Sequence, residues 1–125
     1  MTESSLEGNN MEIKTHIVNE EKVAEIVSDE IIINSVEDAL DLVGNIYYQG
    51  FDKLVISEKN LTSEFFDLKN KLAGDILQKF SNYRMRLAII GDFKKYESQS
   101  LRDFILESNE GRQINFVETL SEALT

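Results

Sequence analysis

The sequence predicts an α/β fold in which an opening β-hairpin is followed by helices that alternate with mainly parallel strands in a mixed sheet. Three observations carry this expectation. Short β-branched or aromatic runs alternate with capped helical segments along most of the 125 residues, the signature of a layered α/β domain. The segments between the later strands are helical and too long for hairpins, so those strands run parallel. Met85 to Ile90 is almost continuously apolar, as a central strand covered on both faces must be.

Each element follows from local pattern. Residues 1–10 are polar and read as a disordered extension ahead of a single domain over 11–125. From Met11, Ile13, Thr15 and Ile17 alternate with Lys14, His16 and Val18, which is a strand. Asn19-Glu20-Glu21-Lys22 is a turn, and Val23 to Val27 completes the hairpin. Ile31-Ile32-Ile33 is a short strand or extended arm. Ser35-Val36-Glu37-Asp38 begins a helix like a capping box, with Val36, Leu40, Val43 and Tyr47 as its apolar stripe and Gly50 at its end. Strand Lys53 to Ser57 follows. The next helix is expected from Thr62, with Leu61 and Phe66 as a hydrophobic staple and Leu72, Ala73, Ile76, Leu77 and Phe80 as its stripe. Lys69 would fall inside that stripe if the helix ran unbroken, so a kink or break is expected near Lys69-Asn70-Lys71. Ser98 caps a helix carrying Leu101, Phe104, Ile105 and Ser108, closed by Gly111. Ile114 to Val117 is the last strand, and Thr119-Leu120-Ser121-Glu122 opens a short final helix.

Composition narrows the chemistry. The chain has no cysteine, which excludes thiolate metal sites, disulfides and a cysteine nucleophile. One histidine, His16, is too few for a multi-histidine metal centre, and on its mixed strand face it reads as a partly exposed, non-catalytic residue. A net charge of −10 points away from nucleic acid, whose phosphates need cations. The longest apolar run, Leu87-Ala88-Ile89-Ile90, is far short of the ~20 residues of a membrane helix. The expectation is a cytoplasmic protein with no membrane contact and no cofactor.

From Met11 onward the chain resembles a small bacterial family classed only as a domain of unknown function, of the DUF4180 type. The resemblance rests on Glu58-Lys59-Asn60-Leu61, Phe65-Phe66-Asp67-Leu68, Ala73-Gly74-Asp75-Ile76 through Tyr83, Leu87 to Phe93, Ser100 to Phe104 and Glu107-Ser108-Asn109. It implies a family and no activity. The element order also resembles the STAS domain of anti-sigma-factor antagonists, which implies a STAS-like fold and action through protein contacts. In that family a phosphoacceptor serine lies in an Asp-Ser-x-Gly setting at the start of the helix after the third strand. The matching stretch is Thr62-Ser63-Glu64-Phe65, which lacks the aspartate and the glycine. Glu64 would repel a phosphate on Ser63, so no phosphoswitch is expected there.

The candidate site lies where parallel strands present their carboxyl ends. There, Glu58, Lys59 and Asn60 follow Ser57, with Thr62 and Ser63 at a helix start that can receive an anion or small polar ligand. Gly91 and Asp92 end the neighbouring strand; the glycine permits close approach and the aspartate can accept hydrogen bonds. No nucleophile-elbow or phosphate-loop pattern accompanies them, so no catalytic residue is assigned. Gly74 falls opposite its helix stripe, where glycine loses up to ~1 kcal/mol against alanine, and suggests a close contact with another backbone. Tyr48, off its stripe, is a second candidate contact, and Phe51 is expected to be exposed beside it. The leading expectation is a non-catalytic regulatory or protein-interaction module that binds a protein partner or itself. The alternative is a small-ligand or nucleotide-binding protein, or an enzyme, using the strand-end loops.

Overall fold

The computed structural model describes residues 11–125; the expected extension at 1–10 lies outside the described residues. Strands β1 (Glu12–Val18) and β2 (Glu21–Val27) form the hairpin, and β3 (Lys53–Ser57), β4 (Arg86–Ile90) and β5 (Ile114–Val117) follow, interleaved with helices α1 (Val36–Tyr48), α2 (Leu72–Asn82), α3 (Gln99–Glu110) and α4 (Leu120–Ala123). The sheet order is β1-β2-β3-β4-β5. The first pair is antiparallel and the other three are parallel. The hairpin turn is only two residues, Asn19 and Glu20, both with positive φ (51° and 73°). A two-residue turn needs that conformation to match the twist of its strands.

Sequential strand order fixes the layering. Each parallel crossover steps to the next neighbour in the same direction, and crossovers share one hand, so α1, α2 and α3 stack on one face. Ala24, Ile26, Leu54, Ile56, Leu87, Ile89, Ile114 and Phe116 point into that layer and form one core with Ala39, Leu42, Ile46, Ile76, Phe80 and Leu101. The opposite face carries a smaller cluster of Val23, Val55 and Ala88, covered by Ala123 of α4. Period-two alternation sends neighbouring strand residues into these two clusters.

Several helix expectations are corrected. No α-helix starts at Thr62; Ser63–Phe66 and Leu68–Asn70 are separate 3₁₀ turns and α2 begins only at Leu72. The expected break is real, because Lys71 sits at φ 65° in the left-handed region, which no continuous helix tolerates. Gly74 is consequently the third residue of α2, in its first turn, and not mid-helix. In α1 the buried stripe is Ala39, Leu42, Val43 and Ile46, while Leu40 and Tyr47 are exposed. The apolar arc of α1 is wide enough for two stripes, and the sheet takes the one containing the small Ala39. Phe51 is buried, not exposed, because the chain turns back under α1 before β3. The isoleucine arm makes one bridge, Ile33 to Leu61, in place of a strand.

Candidate functional site

The carboxyl ends of β3 and β4 bring Glu58 and Gly91 together. A Cβ on residue 91 would lie 2.6 Å from Glu58 Oε1 and 2.8 Å from its Cβ, so glycine is needed here to make room for a carboxylate. Glu58 is then held from the following loop: the Tyr96 hydroxyl donates to Oε2, and Lys95 Nζ lies 2.9 Å from the same oxygen. The Tyr96 ring stacks on Phe66, centroids 5.2 Å apart. Burial, then the hydrogen bond to Glu58 and its charge, push the Tyr96 phenol well above its ordinary 10.0, so it stays a donor. With only 15% of its side chain exposed, Glu58 is a paired anchor of the loop that follows β4.

Beside this anchor runs an open groove of about 390 Å³, floored by Leu61, Phe66 and Tyr96 and edged by Ile31, Lys59, Ser63 and Lys95. Ile31 is 52% exposed. The floor is apolar and aromatic, and its rim is polar, with two lysines paired to carboxylates.

The other expected site residues have separate places. Asn60 is fully buried; its amide nitrogen donates to the carbonyls of Ser28 (2.9 Å) and Glu30 (2.8 Å), and its oxygen accepts from Ser57 N at 3.1 Å. It ties the loop after β2 to the turn after β3 and offers no polar group to the groove. Thr62 is buried and caps the 3₁₀ turn Ser63–Phe66, while Ser63 is exposed at the groove. Lys59 pairs with Asp29 at 2.9 Å, both exposed. Asp92 accepts from Lys94 N at 3.3 Å, capping its own turn. Among the described residues no group of three or more His, Asp and Glu side chains could hold a metal. Tyr48 is 86% exposed, and the space a Cβ would take at Gly74 is open. His16 Nε2 donates to Glu25 Oε1 at 2.8 Å.

A second polar cluster at the amino ends of the same strands is invisible in sequence. Lys53 is 4% exposed, and its Nζ donates to the Ala123 carbonyl of α4 at 2.5 Å. Burial lowers its pKa from the ordinary 10.5, as do Arg86 and Arg112, with Glu21 opposing. Arg86 itself pairs with Glu21 and donates to the Arg112 carbonyl at 3.2 Å. Lys53 reads as the polar first residue of a strand; what buries it is a helix 70 residues later. Tyr96 and Lys95 were likewise missed. Their only signal was one aromatic residue in a polar loop.

Among the described residues no helix is long and apolar enough to cross a membrane. No curated protein and no solved structure matches this chain. A family model matches residues 18–125, covering β2 to α4 and with them both polar clusters, so the chain belongs to the family described as Domain of unknown function (DUF4180).

Proposed function

We propose that this chain is a non-catalytic regulatory module of the cytoplasm that docks a protein partner in the groove at the carboxyl ends of β3 and β4. The observation that carries the reading is the groove's composition: an apolar floor of Leu61, Phe66 and Tyr96 beside the exposed Ile31, with Lys59 and Lys95 on its rim. Side chains of this kind supply the buried aromatic anchor and polar rim of protein interfaces. Glu58 supports it by being already paired. A carboxylate held by a lysine and a phenol fixes the wall of the groove. The hairpin followed by βα units agrees with the STAS-like order, which adds an argument by analogy only. Ser63 lines the groove, and Glu64 beside it disfavours a phosphate there. Tyr48 and Gly74 are the candidates for a second contact surface, on the helix layer.

The small-ligand reading needs Glu58, Asn60 and Asp92 in one wall. Only Glu58 lines the groove, which favours the docking reading. The test is a photo-crosslinking residue at Ser63, expressed in the protein's own cells. A discrete adduct with a second protein, lost when Ile31→Asp is added, is the expected result. A chain that yields no protein adduct but purifies with a bound small molecule in native mass spectrometry overturns the reading in favour of ligand binding.

A further inference from the structure

The two edges of the sheet are finished differently. On β5 the backbone of Phe116 points away from β4, and the Asn109 side chain closes it: Oδ1 accepts from Phe116 N at 2.7 Å and Nδ2 donates to its carbonyl at 3.1 Å. The amide occupies the place of another strand, a device that keeps an edge from pairing. At the other end of the sheet β1 has no such cover among the described residues. It is seven residues long, lacks proline, and runs in unbroken register with β2.

Its side chains are self-complementary. On the helix-layer face β1 carries Ile13, Thr15 and Ile17; Ile13 packs half-buried against the core, Thr15 is exposed, and Ile17 is 68% exposed. The opposite face carries Glu12, Lys14, His16 and Val18. In a chain of net charge −10, this strand is locally balanced, since Glu12 and Lys14 cancel. An antiparallel pair with a two-fold axis through Thr15 sets Ile13 against the partner's Ile17 and Thr15 against itself. It sets Lys14 against the partner's His16, whose ring is hydrogen-bonded to Glu25 within its own copy. Directly opposed β-branched pairs of this kind stabilise sheets. Centring the axis on Lys14 instead would oppose two lysines, and centring it on His16 would place Lys14 on Val18.

We propose that two copies of this chain join through their β1 edges, about a two-fold axis at Thr15, into one continuous sheet. This surface is separate from the groove, so the proposal does not depend on the docking reading. Main-chain hydrogen bonds along the edge supply the affinity and the isoleucine pairs fix the register.

Because the chain has no cysteine, Thr15→Cys in the full chain makes a clean reporter. Directly opposite Cα atoms in an antiparallel pair lie about 4.5–5.5 Å apart, within disulfide range. Sedimentation velocity should show a dimer for the unmodified chain. Thr15→Cys should form a covalent dimer under mild oxidation at least tenfold faster than Glu107→Cys, an exposed collision control on α3. Ile17→Asp should shift the dimer toward monomer with unchanged circular dichroism. If Ile17→Asp fails to fold, the cross-linking comparison still decides. A monomeric unmodified chain overturns the proposal, as does a dimer in which Thr15→Cys cross-links no faster than the control.

Discussion

Strands β3 and β4 begin and end in polar clusters, and the two ends use charge in opposite ways. At the amino end a lysine is buried under α4 and satisfied by a carbonyl, with burial and two arginines working against its charge. At the carboxyl end a glutamate is satisfied by a phenol and a lysine in a wall that stays open to solvent. The first arrangement closes the sheet. It fastens a four-residue helix, too short to hold itself, over Val23, Val55 and Ala88. The second arrangement shapes a surface. A polar cluster sealed by a helix serves the fold, whereas one that borders an apolar groove is, on the docking reading proposed above, a surface for recognition.

The largest effect expected from breaking this contrast is at Gly91. Gly91→Ala places a methyl 2.6 Å from Glu58 Oε1 and should lower stability by about 1–3 kcal/mol in urea denaturation. Repeated in a Glu58→Gly background, the loss should shrink, since the two nearest atoms it meets are gone and only Phe93 Cζ, at 3.0 Å, remains. Equal losses in both backgrounds would mean that Glu58 is not what reserves the glycine.

Next comes Lys53. Lys53→Met leaves the Ala123 carbonyl without its donor and should cost about 1 kcal/mol, with faster amide exchange at 120–125. Its pH signature has a definite sign. The folded pKa lies below 10.5, so between those values the unfolded chain binds more protons and stability rises with pH. The lead of the unmodified chain over Lys53→Met should therefore grow as pH climbs toward 10.5. Tyr96→Phe should cost about 0.5–1.5 kcal/mol and show the reverse trend. Its folded pKa lies above 10.0, so the stability it adds is complete below 10 and is lost as pH rises further. Parallel pH trends for the two variants would erase the electrostatic contrast.

The smallest effect lies outside both ends. Gly74→Ala, in open space in the first turn of α2, should raise stability by up to ~1 kcal/mol in thermal denaturation. A drop instead would point to a backbone packed against it.

The strands were legible because their signals are local. Lys53–Ser57 and Ile114–Val117 stand where alternation and apolar content put them, and the caps Ser35, Ser98 and Thr119 each accept the expected backbone N–H. In the segment 62–71 the break near Lys69-Asn70-Lys71 was legible from the place of Lys69 in the stripe, whereas the helix expected from Thr62 is a pair of 3₁₀ turns, because a residue that caps a helix caps a short turn equally well. The site was legible in part. Its strand ends and Gly91 follow from topology, but Asn60 looked like a ligand-facing amide and is wholly engaged by the backbone, its nitrogen by two carbonyls and its oxygen by the Ser57 N–H. Tyr96 comes from a loop 38 residues from Glu58, a separation that no local pattern encodes.

Hydrogen–deuterium exchange with and without the protein cross-linked from Ser63 tests the central contrast most directly. The account predicts new protection at Ile31, at 57–66 and at 91–96, with none at Lys53, Arg112 or 120–125. Protection concentrated at Lys53 and α4, with the groove unchanged, would contradict it.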